Sequence, residues 1–409
     1  MKPSYISRKT CRICGSNRLF PILNLGKTPH ANSFFKRGES HKEYFFPLNL
    51  VFCRTCSLVQ LKEVVDPSVL FRRYSYLTGA SAPMVEHFKT YAQDVIRRRP
   101  VTPKDLVVEL GSNDGSLLLQ LKGRARILGV DPAKNVAVLA RKKGVPTIDD
   151  FFNSKLAKKI VSKHGKAKII IANNVFAHID NIHEVLEGIK ILLADDGLYV
   201  FETHWVGNLI GEGGFDQIYH EHLSFFSLHA LSYLLSLHGL KIVDVQSVPM
   251  HGESMRVFAK LGGIPGKSVK KFLSREKRLK LNTTVAYKNF SKKVSKNKKD
   301  LLYLLNKLKK EGKHIAGYGA PAKSTTLLHY LGVDPKVFDY ITDTTPLKQG
   351  RLTPGTHIPI VSPDRLLTER PYFLLLFSWN YTSVILKKEQ DLRHKGTKFI
   401  IPVPEVKIL

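Results

Sequence analysis

The chain has 409 residues, 43% of them hydrophobic, and a formal net charge of +30; it is long enough for two or three domains with their own cores and too apolar for a disordered chain. No run of 18 apolar residues occurs and the opening MKPSYISRKT has no apolar secretory core, so a cytoplasmic, soluble protein that does not span a membrane is expected. The positive charge would suit a polynucleotide, but the lysines and arginines are spread along the chain, which fits an anionic small substrate or solubility better.

All four cysteines lie before residue 57, as Cys11-x-x-Cys14 and Cys53-x-x-Cys56. Two such knuckles place four thiolates in the tetrahedron that Zn²⁺ prefers and leave no position open for catalysis. A structural zinc is therefore expected; disulfides, the alternative, do not suit a chain without a secretory signal. Phe34, Phe35, Tyr44, Phe45 and Phe46 give the module an apolar filling beside the metal. Beyond it, Tyr74 and Tyr76 fall two apart on an extended stretch and face one side, either packing between domains or presenting a phenol to a cleft. A helix over 82–98 follows, closed by arginines and Pro100.

Residues 106–120, LVVELGSNDGSLLLQ, read as a buried parallel strand, a glycine turn and a leucine-rich helix, the opening unit of a doubly wound α/β domain. Asn113 stands where a dinucleotide fingerprint would have its second glycine, so the turn between Gly111 and Gly115 is not built for a pyrophosphate. Glu109 ends the strand, and Asp131 closes a second strand over 127–130, about 20 residues on, at ribose distance. One acid at the turn and one for a ribose diol suit S-adenosylmethionine, whose cationic end needs a polar, negatively biased turn and no phosphate cradle.

A helix over 134–143 and a strand over 145–148 lead to Asp149-Asp150-Phe151-Phe152, in which Asp150 and the aromatic rings could bracket an adenine or merely fill a core. The next strand, 169–172, runs into Asn173, Asn174 and then His178, on the ligand face of the sheet. After a strand over 198–202 and a glycine turn come Tyr219, His220, Glu221 and His222. Such a cluster suits proton transfer. Metal binding is the rival, but adjacent imidazoles point apart and lack the i, i+4 spacing of H-E-x-x-H. Ser254 and Arg256 precede a strand over 257–261 and either meet phosphate or sugar oxygens or face solvent.

A lysine-rich segment with leucines at helical spacing predicts long amphipathic connecting helices. Residues 314–333 then repeat the strand, turn and helix, and Gly317, Gly319 and Ala322, followed by Asp343, satisfy G-x-G-x-x-A. Alone, that motif favours a nicotinamide dinucleotide oxidoreductase.

The four-cysteine module together with ELGSNDGS, ANNVFAHI, FDQIYHEHLSFFS and GYGAPAKSTTLL resembles the sugar C-methyltransferases that act on nucleoside diphosphate 4-ketosugars. The resemblance spans nearly the whole chain. It implies an α/β protein with a small zinc-binding module (1–70), a Rossmann-like class I methyltransferase core (71–262), a basic helical connector (263–313) and a second Rossmann-like C-terminal domain (314–409). It implies S-adenosylmethionine and structural zinc as cofactors, and a nucleotide sugar held between the last two domains. By motif, His222 resembles the general base, Tyr219 and Glu221 its supporting neighbours, His178 a residue near the enolate, and Tyr76, or alternatively Tyr74, a tyrosine supplied from before the core. Carbon 3 of the sugar is the expected methylation position, with inversion. In the last domain Lys323, Lys348 and Arg351 become anion contacts and no redox cofactor is expected. The family usually has a glycine where this chain has Glu253. A zinc-ribbon RNA or DNA methyltransferase and a zinc-dependent nucleic-acid adaptor are the competing readings; the first lacks an N-P-P-Y motif after the fourth strand and a cysteine outside the module to act as a nucleophile, and the second leaves Tyr219 to His222 and His178 without a purpose.

Overall fold

Buried positions recur along Leu19–Pro29 (β1) and Phe45–Cys53 (β2), the signature of strands with one face against a core. In a computed structural model describing residues 4–39, 42–71, 77–80, 82–249 and 254–409, these two pair antiparallel, and Val59–Leu61 (β3) joins β2. β1 is the edge strand, which is why it tolerates Pro21 and Pro29. The fourth strand of this sheet, Ser224–Phe225, arrives from the central domain and pairs with β3.

The helix expected over 82–98 forms as Ala82–Arg98 (α1). The central sheet begins with Leu106–Leu110 (β4), buried at every position, and continues with Arg126–Val130 (β5), Thr147–Ile148 (β6), Ala167–Asn173 (β7), Leu193–His204 (β8), Leu240–Val248 (β9) and Ser254–Leu261 (β10). Its order is β9-β10-β8-β7-β4-β5-β6. The pairs from β6 through β8 are parallel and β10 runs antiparallel to both neighbours. The strand order reverses between β4 and β7, so their carboxyl ends flank the crevice in which ligands of open α/β sheets bind.

One expectation fails beside it. The leucine-rich stretch after the Gly115 turn is only a 3-10 turn, Leu118–Leu121. Leu117, Leu118 and Leu121 are buried against Phe88, Tyr91 and Val95 of α1, so α1 already fills the layer that a longer helix would occupy.

Lys267–Arg278 (α2) and Thr284–Lys310 (α3) follow. In α3, Tyr287, Phe290, Val294, Leu301, Leu305 and Leu308 are buried at intervals that keep them on one face, and the Tyr287 ring packs 4.4 Å from that of Phe52 in β2. The basic connector is thus a packing element whose lysines cover its solvent side. The last sheet has the order Ile360–Val361, Ile341–Thr342, Ile315–Tyr318 (β11), Phe373–Leu376, Lys398–Ile401 and Lys407–Ile408, parallel except at its final pair. Ala322–Leu331 (α4) follows β11, and Arg351–Leu352 pairs with Phe35–Lys36 of the cysteine-bearing module. The two outer modules therefore touch each other as well as the centre.

Candidate active site

The turn after β4 is shaped by backbone conformations that few side chains allow. Gly111, Asn113 and Gly115 have φ of +66°, +49° and +76°, all left-handed. A Cβ on Gly111 would lie 2.1 Å from Val175 Cγ2, so the turn is packed directly under the segment that carries His178. Asp131 accepts from the Asn113 and Ala133 amides at 2.8 and 2.9 Å. Its carboxylate thus holds the turn. Asp150 is exposed and accepts from the Phe151 amide.

Several polar atoms here are buried without a partner among the described residues: Glu109 Oε2, Ser112 Oγ, and both amide atoms of Asn173. Leaving such groups unsatisfied costs about 1–3 kcal/mol each, a cost that a polar ligand seated at the ends of β4 and β7 would remove. Glu109 is pushed well above the ordinary carboxylate range by burial, with Asp131 and Asp114 adding repulsion. A cationic ligand would reverse that. The residues present fit S-adenosylmethionine, with its positive charge and its many hydrogen-bonding groups.

Beyond the carboxyl ends of β7 and β8 a second cluster gathers. His222 Nδ1 lies 3.0 Å from the Gln217 carbonyl; a carbonyl only accepts, so Nδ1 carries the proton and Nε2 is the basic nitrogen in the neutral ring. The rings of Tyr219, His178 and His204 lie 4.1, 5.2 and 5.3 Å from that of His222, centroid to centroid. A gap of only about 10 Å³, the size of one water, lies beside them, lined in part by His204, Asn208, Gln217, His222 and Phe225. Burial, with Glu221 and Asp216 nearby, raises the Tyr219 phenol well above its usual pKa, so it remains a donor. Burial lowers the pKa of His178, keeping that ring neutral with one N–H.

Glu221 differs from expectation. Its Oε1 accepts from Asn32 Nδ2 at 2.6 Å and pairs with His30 Nε2 at 3.0 Å, both from the amino-terminal module, while the tautomer of His222 is set by a backbone carbonyl. Burial opposes ionisation of Glu221, yet the His30 and Asn32 contacts prevail and hold its pKa below the ordinary range. His204, His30 and Asn32 were not singled out from the sequence. His204 could have been, since it ends β8 on the same side of the sheet as His178; nothing local marks residues 30 and 32. Tyr74, Tyr76 and Glu253 lie outside the described residues.

Arg256 is a correction. It lies within β10, not a loop, and its guanidinium bonds Glu202 at 2.7 Å and Asp94 at 3.4 Å while stacking 3.9 Å from the Tyr91 ring. Only 7% of its side chain is exposed, so it neither faces solvent nor offers a free fork to a phosphate. Ser254 is buried and registers opposite His204. In the last domain Lys323 bonds Asn380 at 2.7 Å and sits 4.2 Å over the Trp379 ring; burial lowers its pKa to about 8. Lys348 reaches the Ala320 carbonyl at 2.8 Å and Arg351 the Phe34 carbonyl at 3.0 Å. Asp343, which stood at the position of a ribose-binding acid, spends its carboxylate on the Ala320 and Thr345 amides.

Cys11 and Cys56 sulfurs are 3.4 Å apart, Cys14 and Cys53 3.5 Å, and all four lie within 4.8 Å of one another. A tetrahedron with Zn–S arms of 2.3 Å has edges of about 3.8 Å. The donor set fits zinc and leaves no ligand position vacant.

Three families match consecutive parts of the chain: a zinc binding domain over residues 11–71, a methyltransferase domain over 84–245 and the C-methyltransferase C-terminal domain over 249–404. The C-methyltransferase NovU of Streptomyces niveus is 36% identical over 404 residues, which is 98% of this chain and 96% of that protein. Among solved structures, an S-adenosylmethionine-dependent methyltransferase from Clostridium acetobutylicum is 11% identical, covering 44% of this chain and 92% of its own, with a TM-score of 0.35. Magnesium protoporphyrin IX methyltransferase from Synechocystis is 14% identical, with 43% and 78% covered and a TM-score of 0.33. Overlaps as slight as these last two add nothing to the functional reading.

Proposed function

This chain belongs to the S-adenosylmethionine-dependent C-methyltransferases with an amino-terminal zinc-binding domain, and from that premise we propose that it methylates carbon 3 of a nucleoside diphosphate 4-keto sugar through an enolate generated by His222. The observation that carries the reading is the Gln217 carbonyl on His222 Nδ1, which makes Nε2 the proton acceptor of a ring that has Tyr219 and His178 as its neighbours at 4.1 and 5.2 Å.

S-adenosylmethionine supplies, when bound, a methyl group activated by a sulfonium, and Glu109, Gly111, Asn113, Gly115, Asp131, Asp150 and Asn173 are the residues that would hold it. Carbon is methylated only after it has become a nucleophile, and a ketone at carbon 4 acidifies the proton on carbon 3. His222 Nε2 takes that proton. We assign the charge that develops on the ketone oxygen to the Tyr219 phenol, a buried donor, with the His178 ring near the enolate. With His222 on one face of the sugar and the methyl donor on the other, as the family resemblance implies, carbon 3 would invert. In the last domain Lys323, Lys348 and Arg351 are the side chains we assign to the diphosphate.

The test is to incubate the purified protein with S-adenosylmethionine and a panel of nucleoside diphosphate hexoses, and to look by mass spectrometry for gain of one methyl group. Methylation of a 4-keto sugar and not of its 4-hydroxy counterpart is the expected result. Equal methylation of both would exclude an enolate route.

A further inference from the structure

The segment bearing His222 and the segment bearing His178 are not joined by their own sheet alone. The Leu223 amide, next to His222, donates to the Ala177 carbonyl, next to His178, at 2.9 Å. The Leu223 carbonyl in turn accepts from the Leu61 amide at 3.0 Å and from the Arg12 guanidinium. Arg12 stands between two zinc ligands, Cys11 and Cys14, and its side chain is fully buried. Its fork bonds the Leu61 carbonyl at 3.1 Å and, at 3.3 Å, the carboxylate of Asp180, two residues beyond His178. Its backbone amide is held by Gln60 Oε1 at 3.0 Å. One guanidinium therefore grips the backbone after His222, the carboxylate after His178 and the strand between them, from a turn whose shape the cysteine site sets.

A buried guanidinium with most of its bonds to backbone carbonyls is a costly device for stability alone, since apolar residues of similar volume often do as well. What it adds is geometry: it fixes two segments relative to each other. We infer that Arg12 is a positioning residue for the reaction, through which the zinc knuckle holds the proton-transfer histidines in register. The inference rests on the reading of His222 and His178 given above.

The test measures deuterium wash-in from D₂O at the carbon beside the ketone, with a nucleoside diphosphate 4-keto sugar and no methyl donor. Arg12→Met should keep its zinc by elemental analysis and its S-adenosylmethionine affinity by calorimetry, yet lose wash-in about a hundredfold, the scale of a misplacement near 1 Å, with KM little changed. Arg12→Lys, which can reach one carbonyl, should recover part of the loss. An Arg12→Met protein with zinc bound and wash-in within about twofold of the parent would overturn the inference. If Arg12→Met does not fold, Asp180→Asn decides: a fall in kcat at unchanged KM and melting temperature supports it, and an unchanged kcat overturns it. His222→Ala, run in parallel, separates the two levels, because wash-in surviving there would reject the base assignment itself.

Discussion

At His222 the two ring nitrogens have different tasks, one anchored to the Gln217 carbonyl and the other left basic. His222→Ala should therefore lower kcat by about 10²–10⁴-fold, the usual share of general base catalysis, with donor affinity unchanged in calorimetry. Glu109 gives a prediction of the opposite character. Burial first, then Asp131 and Asp114, raise its pKa in the folded protein, whereas in the unfolded chain it ionises normally. As pH climbs through the ordinary carboxylate range the unfolded state loses its proton and the folded state does not, so this group subtracts stability from there upward. Glu109→Gln should thus raise the melting temperature of donor-free protein at neutral pH, and weaken S-adenosylmethionine binding because the counter-charge is gone. A variant less stable than the parent and unimpaired in donor binding would contradict both parts.

Two short elements, the turn after β4 and the strand β10, show how far a sequence pattern reaches. At Gly111 a methyl group meets both a left-handed φ and the Val175 side chain at 2.1 Å, so Gly111→Ala should displace the turn and cost donor affinity, measurable by calorimetry. The turn was legible because its chemistry is local: glycines and an asparagine after a buried strand. In β10 the strand was legible over 257–261 but the role of Arg256 was not, because it depends on Glu202 and Asp94, 54 and 162 residues away. Removing one partner of a buried ion pair typically costs about 3–5 kcal/mol. Arg256→Met should lower stability to urea on that scale while leaving KM for the sugar unchanged in the surviving folded protein; a raised KM at unchanged stability would restore it to the substrate site. The same distinction separates His178 and His222, found from motifs, from His30 and Asn32, which reach Glu221 only once the amino-terminal module has docked. It also explains the missing helix after Gly115, whose place in the layer is taken by α1 from the preceding segment.

Across the whole molecule, the residues 216–225 are held from both sides. Trp379 donates to Asp216 at 2.7 Å and Thr326 to the Ile218 carbonyl at 2.9 Å, both from the last domain. From the first come the Pro47 carbonyl on His220 and the pairing of β3 with Ser224–Phe225. The residues proposed for the donor all belong to the central domain, whereas the segment that carries His222 is held by all three parts. Stripping zinc with a chelator should therefore abolish methyl transfer while S-adenosylmethionine still binds, because small metal-organised modules lose much of their folding free energy with the ion. Loss of donor binding in step with zinc would show that the modules are not separable in this way. The central claim is that His222 makes a carbanion beside a ketone before any methyl moves. It is tested most directly by proton NMR of a nucleoside diphosphate 4-keto sugar in D₂O with the enzyme and no methyl donor: the account predicts loss of the carbon 3 proton signal with the parent protein and its persistence with His222→Ala, and a signal that persists with both, while methylation proceeds when donor is added, would contradict it.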